Sequence, residues 1–146
     1  MPKSNPSSSG SRNMYDAAQD TLTALKGEHY RRQSVETNKL ARWRNDPIGF
    51  AEERLLGFVW SKQKTILRSI QENRFTAVKA AHDVSKSWTA ALAACWWIAT
   101  RPLGSAFVVT LAPTAHQVRG ILWREIKAIH TSGGLPGRMN QAEWII

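Results

Sequence analysis

The sequence predicts an α/β fold with a parallel sheet, preceded by a helical, partly disordered N-terminal leader. Two continuous apolar runs, FTAVKA at residues 75–80 and SAFVVTLA at residues 105–112, have the composition of strands buried on both faces. Each run is followed by a helical pattern, and such alternation implies parallel pairing through right-handed crossovers. The chain has 146 residues, enough for one domain with its own core.

The N-terminal part divides into a tail and a charged leader. Residues 1–13 are rich in Ser, Pro, Asn and Gly, which predicts a disordered tail. Residues 14–45 form a basic helical leader that we expect Gly27 to interrupt. Its cationic side chains suit either DNA phosphates or a solvated helix face, and the sequence leaves both open. These cations are Arg31, Arg32, Lys39, Arg42 and Arg44.

The Asp46-Pro47 pair predicts the start of the domain at residues 46–146. Asp caps helices and Pro suits the first helical turn, so a short helix begins here and ends near Gly57. A second helix lies within FVWSKQKTILRSIQENR, at residues 58–74. The spacing places Gln63 on the apolar stripe of this helix, where a buried amide requires a hydrogen-bond partner.

Two further helices follow the two predicted strands. The first, from about Lys86 to Thr100, is apolar nearly all round, so it should be largely buried. The second, TAHQVRGILWREIKAIH at residues 114–130, has a single apolar stripe. The final AEWII, at residues 142–146, predicts another strand.

Composition excludes several classes of protein. Twenty Lys and Arg against 11 Asp and Glu give a net charge of +9, which suits a phosphate-rich partner or simply a basic soluble protein. The single Cys95 rules out an internal disulfide and is expected to be buried and inert. The four histidines lack metal-ligand spacing, and the first residues lack the apolar core of a secretory signal. The longest apolar run is too short to cross a bilayer, so no membrane association is expected.

The stretch AAHDVSKS at residues 80–87 has the spacing of a phosphate-binding loop. Such a loop needs a buried strand, exposed backbone N–H groups, a Lys for the phosphates and a hydroxyl for Mg²⁺. Lys86 and Ser87 stand at the last two positions, and Ala80 and Ser85 replace the two glycines. A serine in glycine-type dihedrals would be strained by roughly 1–3 kcal/mol. On this motif alone, a plain strand-turn-helix connection remains equally open.

Four segments in order resemble the N-terminal ATPase region of phage large terminase subunits, the motors that package DNA. The resemblance runs from about residue 46 to residue 146. FVWSKQKTIL resembles the adenine-recognition segment, and FTAVKAAHDVSKSWTAALAACWW resembles the strand, Walker A loop and helix. VVTLAPTAHQVRGILWREI resembles the next strand with its Ala-Pro-Thr turn. GGLPGRMNQAEWII resembles the loop and strand ahead of the Walker B region.

The resemblance implies a partial P-loop NTPase fold in residues 46–146, with ATP and Mg²⁺ as cofactors. Lys86 would act as the catalytic residue on the phosphates, Ser87 would bind Mg²⁺, and Gln63 would read the adenine edge beside Trp60. The loop residues that would bind phosphate are Ala81, His82, Asp83, Val84, Ser85, Lys86 and Ser87. Implied partners are double-stranded DNA and, for the full-length family, the small terminase subunit and portal, in the cytoplasm of the bacterial host.

Two departures from the family lower the expected activity. Ser85 replaces the glycine before the Lys, and the family's Walker B aspartate, catalytic glutamate and nuclease domain would all follow residue 146. We therefore expect weak ATP binding without steady-state hydrolysis. Two alternatives stay open: a non-catalytic DNA- or partner-binding module with a vestigial loop, and the front part of a helicase-like motor. An unpaired sheet edge at residues 144–146 further predicts self-association or aggregation.

Overall fold

The computed structural model describes residues 9–81, 85–114, 116–140 and 144–145. The chain divides into two compact units, residues 1–32 and residues 33–146. Helix α1 (Ser9–Leu40) is continuous over 32 residues and passes through Gly27, so the predicted interruption there is wrong. Of the predicted tail, residues 9–13 begin α1 and residues 1–8 lie outside the described part of the chain.

Helix α2 (Pro47–Gly49) continues as a π-helical turn at Phe50–Arg54. The Asp46 carboxylate accepts a hydrogen bond from the Gly49 N–H at 2.8 Å, and Pro47 occupies the first helical turn, as predicted. The chain then leaves the helix through Leu56, whose φ of 51° is left-handed. The predicted cap and start are therefore confirmed, and the helix ends three residues before Gly57.

In the described part of the chain, a 3₁₀ turn at Ala41–Trp43 precedes α2, and three helices, a second π-helical turn and one pair of short strands follow it. Their bounds are α3 (Ser61–Glu72), α4 (Lys86–Ala99), a π-helical turn at Gln117–Leu122 that leads into α5 (Trp123–Gly133), β1 (Arg138–Met139) and β2 (Trp144–Ile145). β1 and β2 pair antiparallel, with Arg138 opposite Ile145 and Met139 opposite Trp144. The three predicted helices are confirmed, and the predicted last strand exists as β2.

The predicted parallel sheet, and with it the α/β partial P-loop NTPase fold of residues 46–146, is wrong. Residues 75–80 and 106–112 have neither helix nor strand, and the only pairing in the described chain is the antiparallel β1–β2 pair. Each segment is instead tied to a neighbouring helix by side-chain hydrogen bonds. The Ser69 and Thr76 hydroxyls lie 3.0 Å apart, and the Trp123 indole N–H donates to the Thr110 hydroxyl at 3.2 Å.

The core lies around α4, which packs against α3, α5 and the residues near α2. The predicted burial of α4 is confirmed, since its inward side chains are at most 1% exposed: Ala91, Leu92, Cys95, Trp96 and Ala99. The Trp96 indole N–H donates to the Trp43 carbonyl at 2.7 Å, which satisfies its polar group inside an apolar cluster. This burial of apolar surface positions the start of α4 beside α3.

Candidate functional site

A cleft of about 440 Å³ is lined by α3, by residues 76–80 and by the first residue of α4. We call it the α3–α4 cleft. Its lining residues are Trp60, Lys62, Thr65, Ile66, Ser69, Thr76, Ala77, Val78, Lys79, Ala80 and Lys86. Its volume falls within the range of ligand pockets in proteins.

Helix α3 supplies one wall of the cleft. Lys62, Thr65 and Ser69 recur at intervals of three and four residues, so they share one face of the helix. Trp60 immediately precedes the helix and is 37% exposed, which leaves part of its ring open to the cleft. The hydrogen bond between Ser69 and Thr76 joins this wall to residues 76–80.

Lys86 connects the two ends of the phosphate-loop motif. Its ammonium donates to the Ala80 carbonyl at 3.0 Å and also to the Ala81 carbonyl. The side chain therefore ties the end of this segment to the first residue of α4. The ammonium has three N–H donors, so an anion entering the cleft can accept the third or replace one of these carbonyls.

Ser85 begins α4 in a left-handed conformation, with φ 56° and ψ 29°. This is the region that glycine occupies most easily, and Ser85 adopts it at the position where a phosphate-binding loop usually has glycine. The Ser85 carbonyl accepts hydrogen bonds from the Thr89 N–H and hydroxyl, both at 2.9 Å. Its side chain makes no capping bond, so the first N–H groups of α4 keep their capacity to bind an anion.

The cleft is cationic. Lys62, Lys79 and Lys86 line it, and no carboxylate of the described residues does. The neighbouring Lys64 does not line the cleft, and its ammonium forms an ion pair with Glu52 at 2.6 Å. Three ammonium groups beside an aromatic ring suit a ligand that carries several negative charges and a flat apolar part.

Gln63 is buried, at 4% exposure, and its side-chain oxygen accepts a hydrogen bond from the Trp60 N–H at 3.2 Å. The predicted need for a partner on the buried face is confirmed. The side chain thereby fixes the backbone of Trp60 at the edge of the cleft. Gln63 itself does not line the cleft. Its adenine-reading role stays a prediction.

The other predicted site residues are distributed around the start of α4. Ala81 is exposed and holds Lys86, while Ser87 is half-buried in the first turn of α4 and does not line the cleft. His82, Asp83 and Val84 lie outside the described residues. Among the residues that are described, no group of three or more His, Cys, Asp or Glu is placed to hold a metal ion. The only protein ligand proposed for Mg²⁺ is therefore the Ser87 hydroxyl.

Sequence reasoning missed the contributions of Lys62, Lys79 and Thr76. The helical spacing of residues 62, 65 and 69 could have indicated Lys62, because this spacing places three polar side chains on one face of the helix that follows Trp60. The segment at residues 75–80 was predicted to be buried on both faces, and this concealed the role of Thr76 and Lys79. In the structure Lys79 is exposed and Thr76 is half-buried.

Most of the basic side chains that suited either DNA phosphates or a solvated helix face make contacts within the chain. Arg32 pairs with Glu28 at 2.6 Å and Lys39 with Glu36 at 2.7 Å, both along α1. Arg42 lies 3.9 Å from Glu53 and stacks over the Trp43 ring at 3.8 Å. The Arg44 guanidinium donates to the Thr100 carbonyl at 3.3 Å. These contacts agree with the alternative of a solvated helix face for Arg32 and Lys39.

Comparison of the chain with protein-family models, with curated proteins and with solved structures gives no match. The resemblance to phage large terminase subunits therefore stays a prediction from sequence motifs. Within the part of the chain that the structure describes, no helix is long and apolar enough to cross a membrane.

Proposed function

We propose that this chain binds a nucleoside triphosphate, ATP, in the α3–α4 cleft. The observation that carries the proposal is that Trp60 and Lys86 line the same cleft although 25 residues separate them in the sequence. The terminase resemblance implies that Gln63 reads the adenine edge with Trp60 close by and that Lys86 contacts the phosphates, so a ligand in this cleft could reach both Trp60 and Lys86. Lys62 and Lys79 add positive charge to the same lining.

Binding would use groups with different chemistry at the two ends of the cleft. The Lys86 ammonium would exchange the Ala80 and Ala81 carbonyls for phosphate oxygens, which are stronger acceptors because they are charged. The first N–H groups of α4, which the Ser85 side chain does not cap, favour the same anion. The Trp60 ring offers a flat surface on which an adenine can stack.

Mg²⁺ would be carried mainly by the nucleotide. This ion keeps several waters and binds phosphate oxygens with few protein ligands, so it could enter the cleft with the nucleotide although Ser87, its proposed protein ligand, does not line the cleft. The ion would neutralise phosphate charge when bound. Hydrolysis also requires an oriented water, and we assign no residue of this chain to that role. We therefore propose binding without turnover as the property of this chain.

A titration with ATP, followed by calorimetry, tests the proposal. Lys86→Met keeps the aliphatic stem and removes the charge, so we expect affinity to fall roughly tenfold to a hundredfold. Lys26→Met, on α1, makes the same change outside the cleft and should bind as the wild type does. Equal ATP affinity in Lys86→Met and wild type would overturn the proposal.

A second titration separates the base from the phosphates. Trp60→Leu should weaken ATP binding by about 1–3 kcal/mol, a typical stacking contribution, and leave the affinity for inorganic triphosphate unchanged. Should both ligands lose affinity equally, Trp60 supports the fold of the cleft and does not contact the base.

The wider role suggested by the sequence is also a proposal. On the terminase resemblance, nucleotide binding by this chain would serve a DNA-packaging motor in the cytoplasm of a bacterial host. The support for it is the order and spacing of four sequence segments, together with the cleft that unites two of them. Steady-state release of phosphate from ATP by the purified chain would contradict the proposal that this chain binds ATP without hydrolysing it.

A further inference from the structure

A second, smaller cavity of about 210 Å³ adjoins the α3–α4 cleft, and we call it the apolar pocket. Ile66, Val78 and Lys86 line both cavities, so the two meet at these side chains. Trp60 does not line the apolar pocket, so a nucleotide that reaches from Lys86 to Trp60 leaves it unused. Its full lining is Ile66 and Ile70 from α3, Val78, and Lys86, Thr89 and Ala90 from α4.

The walls of the apolar pocket are largely hydrocarbon. Ile66, Ile70 and Val78 contribute branched side chains, and Ala90 contributes a methyl group. The Thr89 hydroxyl already donates to the Ser85 carbonyl at 2.9 Å. An apolar cavity of about 150 Å³ is large enough to hold benzene, whereas pockets for drug-sized ligands begin at about 300 Å³. Size and lining therefore suit a single aromatic ring.

One positive charge stands where the pocket meets the cleft. Lys86 is the only charged residue of the described chain that lines the apolar pocket. Its ammonium donates to the carbonyl of Ala80, which lines the cleft but not the pocket, so the charge lies on the cleft side of the junction. The carbonyls of Ala80 and Ala81 use two of its three N–H donors, and the third matches a single anionic group.

We propose that the apolar pocket binds a small aromatic carboxylate, with its ring against Ile66, Ile70 and Val78 and its carboxylate on the Lys86 ammonium. Burial of the ring removes apolar surface from water, and a rigid ring loses little conformational freedom. The carboxylate accepts a charge-assisted hydrogen bond, which is stronger than a neutral one. A neutral compound of the same shape keeps the first contribution and loses the second.

Two ligands of equal shape test the proposal on the unmodified chain. Phenylacetate and phenylacetamide are titrated in phosphate-free buffer, and binding is followed by NMR chemical shifts. We expect a dissociation constant of about 1 mM for phenylacetate, as is typical for a ligand of this size, and an affinity about tenfold weaker for phenylacetamide. No nucleotide is present, so a failure of ATP binding leaves this result unaffected. Absence of phenylacetate binding, or equal affinities for the two ligands, would overturn the proposal.

Removal of the Lys86 charge tests the contact with the carboxylate. Lys86→Met should weaken phenylacetate about tenfold and leave phenylacetamide unchanged, because only the anion uses the ammonium. Lys62→Met removes a cation that lines the cleft but not the apolar pocket, and it should bind phenylacetate as the wild type does. Equal losses for both ligands in Lys86→Met would show that Lys86 supports the shape of the pocket without contacting the carboxylate.

Filling the apolar pocket tests the position of the ring. Ala90 is exposed on α4, so Ala90→Leu places a larger side chain in the pocket without altering the core, and leucine is a good helix former. Both ligands should lose more than about tenfold in affinity. Ala24→Leu makes the same change on an exposed site of α1 and should bind both ligands normally. Unchanged phenylacetate affinity in Ala90→Leu would place the ligand elsewhere and overturn the proposal.

Discussion

Helix α4 and the segment at residues 106–112 are similarly apolar, but α4 is buried and much of the segment is exposed. In α4 the side chains of Leu92, Cys95 and Trp96 are at most 1% exposed, whereas Phe107 and Leu111 are more than four-fifths exposed. A helix satisfies its backbone hydrogen bonds within itself and can then pack any apolar face against a neighbour. A segment outside a helix must first find a partner for its backbone. Apolar composition alone therefore predicts burial only where the backbone is satisfied locally.

Amide hydrogen exchange should give the largest contrast between the two regions. At concentrations low enough to keep the chain monomeric, we expect the amides of Leu92 to Trp96 to exchange about ten-thousandfold more slowly than those of residues 107–111, since core helices open only with global unfolding. Mass spectrometry of exchanged peptides measures the difference. Similar protection in both regions of the monomer would mean that the segment pairs within the chain.

Truncation of one large side chain in each region should change stability unequally. Trp96→Ala removes a buried ring and its hydrogen bond to Trp43, and we expect the free energy of unfolding to fall by about 3–5 kcal/mol. Phe107→Ala removes an exposed ring and should change it by less than about 0.5 kcal/mol in the monomer. Urea denaturation at low protein concentration measures both. A large loss of unfolding free energy in Phe107→Ala would contradict the expected difference between the buried helix and the exposed segment.

High pH should destabilise the core through Cys95. Burial raises the pKa of its thiol from 9.0 to about 12 in the folded chain. Between these values the unfolded thiol ionises while the folded one stays neutral, so the free energy of unfolding falls as pH rises from about 9 to 12. The slope has an upper bound of about 1.4 kcal/mol per pH unit.

The Cys95→Ala variant isolates that effect from the titration of lysines and tyrosines. Its stability, measured by urea denaturation at several pH values, should fall less steeply than that of the wild type over the same window. Parallel pH profiles for the two proteins would show that the thiol ionises as easily in the folded chain as in the unfolded one.

The junction between residues 75–80 and α4 should yield the smallest effect. Ser85→Gly relieves a left-handed residue, so we expect a gain of about 1 kcal/mol in the free energy of unfolding. Leu56→Gly relieves the same type of strain away from the cleft and should give a similar gain. Thermal unfolding measures both. On the proposed function, only Ser85→Gly should also strengthen ATP binding. Equal ATP affinities in the two variants would show that the strain at Ser85 affects stability without affecting contact with the ligand.

The helical part of the fold could be predicted from local sequence. Asp46 and Pro47 predicted the start of α2, and the position of Gln63 on an apolar stripe predicted its buried hydrogen bond. These features depend on residues within one or two turns of each other. Gly27 was expected to break α1, but one glycine in a long helix lowers stability by only about 1 kcal/mol and does not end it.

The sheet could not be predicted because pairing depends on residues far apart in the chain. The runs at residues 75–80 and 105–112 have strand composition, yet nothing in either run specifies its partner. For the candidate site, the motifs identified Trp60 and Lys86, which the structure brings to one cleft. Lys62 and Lys79 were missed because their positions follow from how α3 lies against residues 76–80, which no short pattern contains.

The Lys86 ammonium donates to the carbonyls of both Ala80 and Ala81. These two hydrogen bonds affect how much of the affinity for ATP a mutation of Lys86 can reveal. In the unliganded chain these carbonyls already satisfy two of the three N–H donors of the ammonium, so a phosphate that displaces them gains only the difference between two sets of acceptors. Mutating Lys86 removes both sets at once. The measured loss of affinity is thus smaller than the strength of the phosphate contact itself, and chains with weaker carbonyl attachment would bind the same nucleotide more tightly.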